Sequence, residues 1–257
     1  MGAPVNKLKQ ALALGRLQTG AWLGLVDPYG AEVAGTAGFD WVLIDGEHAP
    51  NGITEISHQI GVLQASDSSV IVRVPKGEDW LIKQVLDAGA QTVMVPMVET
   101  GEQAVEMSRA MLYAPQGIRG VGSALGRASQ WTGIPDYLTT ANDQMCLIIQ
   151  VEAQRGLDNL DDILAVDGVD AVFIGPADLA ADMGFLGNDQ APAVQAAMED
   201  AVKRIRMAGK AAGIMCPDPV YAEKFIGWGV NFACVAIDVV MLANGLREAA
   251  KLFKDNQ

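Results

Sequence analysis

The chain has 257 residues, half of them hydrophobic, and a formal net charge of −13 from 18 basic and 31 acidic residues. A surface this acidic repels nucleic acid and anionic lipid, and no basic cluster offsets it, so we expect neither nucleic acid nor membrane as a partner. The length suits one large domain with an extensive core, and α/β barrels commonly have this size.

The cysteines and the first residues bear on the compartment. Cys146, Cys216 and Cys234 are odd in number, lie in or beside apolar runs and form no C-x-x-C pair. This pattern predicts free core thiols in a reducing compartment. The first 20 residues lack the uninterrupted apolar segment of a secretory signal. We therefore expect a cytoplasmic protein.

Short apolar runs rich in β-branched residues recur along the chain, and segments with helical periodicity, such as 77–89 and 193–209, separate them. The predicted strands are residues 21–25, 41–45, 70–74, 92–96, 146–152, 171–175, 211–215 and 232–236. This alternation predicts one (β/α)8 TIM barrel over residues 1–257, and an open doubly wound sheet is the alternative.

One long segment, residues 114–143, interrupts the alternation and is rich in glycine and proline. It predicts a loop and a short helix over one end of the barrel. Its stretch "GIRGVGSALGRAS" (117–129) contains G-x-G but follows no strand, so it lacks the context of a dinucleotide site. We expect a flexible loop near the mouth of the barrel.

Polar residues gather where the predicted strands end. In a (β/α)8 barrel the chemistry lies at the C-terminal ends of the strands. The residues at these ends, in chain order, are Asp45, Glu47, His48, Arg73, Gln150, Glu152 and Asp178. The sequence therefore predicts an active site formed by the ends of strands 2, 3, 5 and 6.

Arg73 interrupts the apolar run "VIVRVP". A buried guanidinium needs a carboxylate or an anionic ligand, because an unpaired buried charge is very costly. Two interpretations are open: a structural ion pair with Asp45 or Glu47, or a binding site for a substrate anion. Spacing alone does not decide between them.

Glu152 and Asp178 end neighbouring strands, which lie roughly 5 Å apart in a sheet. Two carboxylates, completed by waters and substrate oxygens, form a site for a hard cation such as Mg²⁺ or Mn²⁺. The alternative for Asp178 is that it caps the helix that follows "GPADL".

A base and an electron sink are the remaining needs of such a site. His48 beside Glu47 predicts a general base, against the alternative of a surface histidine, whereas His58 lies on a predicted solvated helix face. None of the lysines lies on a predicted strand, which disfavours Schiff-base chemistry and leaves a metal as the electron sink.

Five motifs, "LIDGEHAPN", "VRVP", "GIRGVGSAL", "QVE" and "IGPADL", occur in this order. Together they resemble the HpcH/HpaI hydroxy-ketoacid aldolases, which are class II pyruvate aldolases, over nearly the whole chain. The resemblance implies reversible aldol cleavage of a 4-hydroxy-2-oxo acid to pyruvate and an aldehyde. It also implies a divalent metal, Mg²⁺ or Mn²⁺, with Co²⁺ or Ni²⁺ possible.

The resemblance carries roles to individual residues. It implies that Glu152 and Asp178 hold the metal and that Asp178 also borders the substrate. It further implies that Gln150 and the backbone at Ala177 contact the oxygens of pyruvate. Arg73 would then stabilise the enolate that forms when the carbon–carbon bond breaks.

The same resemblance implies that His48 is the base and that a carboxylate matching Asp87 raises its basicity. Gly126 and Gln130 depart from the family's alanine and arginine, which leaves the aldehyde preference open. The family also implies a homo-oligomer, a hexamer in which C-terminal helices exchange between subunits. Residues 238–253 carry an apolar stripe suited to that docking, at 239, 242, 246, 249 and 253.

Two other functions are compatible with the pattern. A lyase of the citramalyl-CoA or malyl-CoA type uses similar metal carboxylates, but it needs a basic surface for the CoA phosphates that this acidic chain does not offer. A non-catalytic protein that binds 2-oxo acids has no need for the base, and the presence of His48 argues against it.

Overall fold

A computed structural model describes residues 2–254, without the side chain of Phe253. Eight parallel strands pair in chain order, and the last pairs with the first to close a barrel. The strands are β1 Gln18–Leu23, β2 Trp41–Asp45, β3 Ser69–Arg73, β4 Thr92–Val95, β5 Cys146–Val151, β6 Ala171–Ile174, β7 Ala211–Met215 and β8 Phe232–Ile237. The predicted (β/α)8 barrel is confirmed.

Helices surround the strands. They are α1 Lys7–Ala13, α2 Pro28–Gly35, α3 Ile53–Leu63, α4 Asp79–Ala88, α5 Gly101–Met111, α6 Tyr137–Thr140, α7 Gln154–Asp158, α8 Leu160–Leu164, α9 Pro176–Asp182, α10 Pro192–Met207, α11 Pro219–Trp228 and α12 Asp238–Lys254. Two short 3₁₀ helices cover Arg127–Ser129 and Asn142–Gln144. Among the described helices, none is long and apolar enough to cross a membrane.

The strands read as continuous apolar runs because both of their faces are buried. Inside the barrel, the rings of Trp41 and Phe232 lie 4.5 Å apart, and Phe173 packs edge-on against Phe232. Gly20 faces Trp41, and a Cβ at this position would overlap the indole ring. The large interior rings therefore need a glycine on the neighbouring strand, and they leave no channel through the barrel.

The first strand lies earlier than its predicted range of 21–25. It begins at Gln18, because the polar residues Gln18 and Thr19 pair with the start of β8 and close the barrel. It ends at Leu23, since the amides of Gly24 and Leu25 donate instead to the carboxylate of Asp238, at 2.8 and 3.1 Å. The sequence pattern could not reveal a strand whose first residues are polar.

The segment that interrupts the alternation lies at the opposite end of the barrel from the strand C-termini. It follows α5 and precedes β5, so it starts and finishes at the N-terminal ends of the strands. Arg127 donates to Gln64, directly after α3, at 2.6 Å, and Arg119 pairs with Asp87 near the end of α4 at 2.7 Å. The short helix predicted in this segment is confirmed. The predicted position near the mouth, at the C-terminal ends of the strands, is wrong for the chain's own barrel.

Candidate active site

The candidate site lies at the C-terminal ends of β2, β3 and β5 and the first turn of α9. Parallel register places Asp45 directly opposite Arg73 at the ends of β2 and β3. Gln150 lies near the end of β5, and Glu152 follows that strand directly. The barrel thus links Arg73, Gln150 and Glu152 by hydrogen bonds, and the charge of Asp178 in the first turn of α9 acts on Glu152.

Asp45 holds the guanidinium of Arg73 in a bidentate pair. Nε donates to Oδ1 at 2.9 Å and Nη2 to Oδ2 at 2.6 Å, and both side chains are buried. Trp22 donates its indole N–H to Asp45 at 3.1 Å, and its ring lies 4.7 Å from the guanidinium carbon. Burial acts to raise the pKa of Asp45, but the hydrogen bonds and charge of Arg73 hold it below its ordinary value.

Glu47 adds a second carboxylate to Arg73. Its Oε2 lies 2.7 Å from Nη1, although without the geometry of a hydrogen bond. Nη1 also donates weakly to Oε1 of Gln150, at 3.5 Å. Burial raises the pKa of Glu47, while the charge of Arg73 opposes that rise. The structural ion pair, one of the two interpretations of Arg73, is therefore present with both Asp45 and Glu47. Nη1 also contacts Gln150, the residue that donates to Glu152.

Glu152 is a buried carboxylate with no cationic partner in the described chain. It is 4% exposed, and its two oxygens accept from the backbone N–H of Met97, at 2.9 Å, and from the side-chain amide of Gln150. Burial raises its pKa to about 7, and the charges of Glu47 and Asp178 act in the same direction. The hydrogen bonds from Met97 and Gln150 oppose this rise. The surroundings of Glu152 are therefore short of positive charge.

Asp178 lies in the first turn of α9 and is exposed. Within the described part of the chain it makes no hydrogen bond, so the helix-capping alternative finds no support. Gly175, where β6 turns into α9, lies against Glu152, and a Cβ there would come within 2.5 Å of Oε2. The glycine of "IGPAD" thus allows the β6 turn to approach the buried carboxylate closely.

The donor set suits a hard divalent cation. Glu152 and Asp178 offer carboxylate oxygens at one edge of the site, and oxygen ligands are those that Mg²⁺ and Mn²⁺ prefer. The described residues contain no group of three or more His, Cys, Asp and Glu side chains that could enclose a metal. None of the eight strands contains a lysine, as predicted.

His48 and Asp87 are not brought together within the chain. His48 is exposed in the loop after β2, and in the described part of the protein its side chain makes no hydrogen bond. Asn51 anchors this loop by donating to the carbonyl of Asp45 at 2.8 Å. Asp87 instead forms an ion pair with the buried Arg119. His58 is exposed on α3, as predicted.

Three site residues escaped the sequence analysis. Trp22 reads as an ordinary core residue, and only the structure shows its N–H on Asp45. Asn51 follows the predicted polar cluster, where a loop asparagine carries no distinctive signal. Met97 acts through its backbone amide, which no side-chain pattern can reveal.

The chain is similar to known proteins over nearly its whole length. The model of the HpcH/HpaI aldolase/citrate lyase family matches residues 18–245. A hydroxypyruvate/pyruvate aldolase from Roseovarius nubinhibens is 58% identical over 248 residues, covering 96% of this chain and 96% of that protein. A 4-hydroxy-2-oxo-heptane-1,7-dioate aldolase from Salmonella arizonae is 50% identical, with 96% and 94% covered. A crystal structure of a family member from Burkholderia cenocepacia has a TM-score of 0.94 at 39% identity, with 97% and 100% covered.

The geometry predicts that Asp45 stabilises the fold by neutralising Arg73. We expect Asp45→Ala to lower the free energy of unfolding by about 3 kcal/mol at pH 7, since it leaves a buried guanidinium with Glu47 alone. Urea unfolding measures the change, and Asp67→Ala, which removes a fully exposed carboxylate, is the control. The double variant Asp45→Leu, Arg73→Met should recover most of the loss.

The contribution of Asp45 to the free energy of unfolding depends on pH. Because the pKa of Asp45 is lowered in the folded protein, its contribution is present above the ordinary aspartate pKa and is lost as the pH falls. The stability difference between wild type and Asp45→Ala should therefore shrink in acid. Equal stability of Asp45→Ala and Asp67→Ala at pH 7 would contradict this assignment.

Proposed function

The chain belongs to the HpcH/HpaI aldolase/citrate lyase family, and on that premise we propose that it cleaves a 4-hydroxy-2-oxo acid reversibly to pyruvate and an aldehyde. It is a carbon–carbon lyase of the class II aldolase type. The observation that carries the proposal is the juxtaposition of a fixed guanidinium, Arg73, with the carboxylate of Glu152 through Gln150. Two similar proteins named as aldolases of this kind support it.

Glu152 and Asp178 would hold the divalent metal, Mg²⁺ or Mn²⁺, and an oxygen-rich site also accepts Co²⁺ or Ni²⁺. Such a cation supplies Lewis-acid charge beside the oxygens of a 2-oxo acid. Gln150 and the backbone at Ala177 would orient the carboxylate and keto oxygens of pyruvate beside that cation. Ala177 is exposed in the first turn of α9, next to Asp178.

Arg73 would stabilise the charge that develops in the reaction. When the bond between C3 and C4 breaks, its electron pair passes into the enolate of pyruvate, so negative charge grows on the keto oxygen. The guanidinium is already oriented by Asp45 and lies 4.7 Å from the ring of Trp22. A charge fixed before the reaction costs no reorganisation when the enolate forms.

His48 would remove the proton from the C4 hydroxyl during cleavage and return it during condensation. Its exposure in the loop after β2 leaves the imidazole open to a substrate. Asp87 keeps a supporting role in this proposal only through a second copy of the chain, since within one chain it pairs with Arg119.

We also propose that the chain forms a homo-oligomer, a hexamer whose C-terminal helices exchange between subunits. Support comes from α12, which exposes Val239, Leu242, Leu246 and Ala249, four of the five predicted stripe positions. An apolar helix face of this extent needs a partner surface. The stripe position at Phe253 lies outside the described side chains.

The buried free thiols agree with a reducing, cytoplasmic location.

The first prediction of this proposal concerns the metal ligands. Glu152→Ala and Asp178→Ala should each weaken Mn²⁺ binding by about 100-fold or more, beyond the 10–100-fold typical of residues that only support a ligand. Electron paramagnetic resonance titration of free Mn²⁺ measures the affinity, and circular dichroism verifies the fold. Glu106→Gln, which removes an exposed charge on α5, is the control. Tight Mn²⁺ binding by either alanine variant would show that the site is misplaced.

The second prediction separates the base from the enolate stabiliser. His48→Ala should slow cleavage by about 10²–10⁴-fold and leave the exchange of pyruvate methyl protons with deuterium intact. Arg73→Ala should suppress both rates, because it removes charge stabilisation from the enolate itself. Pyruvate release and methyl exchange are measured on the same metal-loaded protein.

His58→Ala is the matched control for this pair, since it removes the chain's other histidine from an exposed helix face. It should leave both rates unchanged. A His48→Ala protein that cleaves at the wild-type rate with saturating Mn²⁺ would remove His48 from the proposal. Wild-type protein that releases no pyruvate from any 4-hydroxy-2-oxo acid would refute the proposed reaction.

A further inference from the structure

Met97 has an unusual backbone conformation at the active end of the barrel. Its φ is 57°, in the left-handed region that non-glycine residues rarely adopt. Three other non-glycine residues of the described chain share this property, Gln130, Trp131 and Thr132, and all lie in the connection between α5 and β5. Met97 is therefore the one such residue beside the candidate site within residues 2–254.

The amides of residues 97 and 98 bind the end of β5. The N–H of Met97 donates to Oε1 of Glu152 at 2.9 Å, and the N–H of Val98 donates to the carbonyl of Gln150 at 3.3 Å. The preceding residue, Pro96, has no N–H to offer. The turn after β4 thus contributes two consecutive donors, one to the side chain of Glu152 and one to the backbone carbonyl of Gln150.

The side chain of Met97 does not account for this conformation. It is 58% exposed, so burial of the thioether provides little compensation for the backbone. Glycine or asparagine is the usual residue at such a φ, and methionine has no local hydrogen bond that favours it. Strained conformations persist where surrounding contacts enforce them. Here the contacts are the hydrogen bonds to Glu152 and Gln150.

The carboxylate of Glu152 is confined from three directions. Met97 binds Oε1 from the β4 side, and Gln150 binds Oε2 from the same strand. From the β6 side, Gly175 approaches so closely that its absent Cβ would lie 2.5 Å from Oε2. Each oxygen of the carboxylate therefore accepts one hydrogen bond, and Gly175 packs close beside Oε2.

We propose that Met97 is a positioning residue for Glu152: its left-handed backbone directs the N–H that fixes the carboxylate in the orientation that binds the divalent cation. The inference rests on the proposed function, in which Glu152 is a metal ligand. On this inference, the strained backbone at position 97 serves the affinity for the metal and not the stability of the barrel. Residues that support a metal ligand by a hydrogen bond commonly affect affinity strongly.

The test varies the backbone preference at position 97 and measures the dissociation constant of Mn²⁺ on the full chain. Met97→Val should weaken Mn²⁺ binding by about tenfold or more, because a β-branched residue resists the left-handed region and displaces the N–H. Met97→Gly and Met97→Asn, which accept this conformation, should bind Mn²⁺ as tightly as the wild type. Titration calorimetry measures the affinities and differential scanning calorimetry the thermal midpoints.

Gln130→Val is the matched control, since Gln130 has a φ of 52° at the other end of the barrel. It should lower the thermal midpoint and leave Mn²⁺ affinity unchanged. Wild-type affinity in Met97→Val, with only a lowered midpoint as in Gln130→Val, would overturn the inference. If Met97→Val does not fold, Met97→Thr, which is also β-branched, is judged by the same criterion.

Failure of the inference and failure of the proposed function give different results. A wild type that binds Mn²⁺ while Met97→Val binds it equally well refutes only the role of Met97. A wild type with no Mn²⁺ affinity refutes the metal site itself, and the inference with it.

Discussion

The buried guanidinium of Arg73 is the constraint around which the site is organised. A charge in this position requires compensation, and Asp45 provides it from the neighbouring strand because parallel register places the two residues side by side. The same carboxylate accepts from Trp22 and from the amide of Glu47 at 2.9 Å, so it also fixes the start of the loop that carries His48. Asp45 thus contacts a guanidinium, an indole ring and the loop that carries His48.

The charge balance at the site favours a bound cation. The site holds one guanidinium, that of Arg73, and the four carboxylates of Asp45, Glu47, Glu152 and Asp178. Burial, with repulsion from Glu47 and Asp178, raises the pKa of Glu152 to about 7. Asp45 is satisfied by Arg73, whereas Glu152 has only neutral donors. A divalent cation beside Glu152 and Asp178 would relieve this repulsion. A 2-oxo acid would then meet positive charge from two sides, the metal and Arg73.

Most of the site could be predicted from the sequence, because its residues follow apolar runs whose ends meet at one face of a barrel. The start of β1 could not, since its pairing with β8 involves polar residues. Residues 114–143 were misplaced because composition does not show which end of the barrel a connection joins. Asp87 illustrates a further limit: its partner, Arg119, lies in that same connection. The role of Met97 depends on backbone geometry alone.

In the proposed reaction, Glu152 and Asp178 hold the cation that makes carbon–carbon cleavage possible. The most direct measurement is pyruvate release from a 4-hydroxy-2-oxo acid by protein stripped with EDTA, followed by the same protein titrated with Mn²⁺. We expect no release from the stripped protein and a return of activity that saturates as the single site fills. Undiminished release in excess EDTA would show that cleavage does not need the cation.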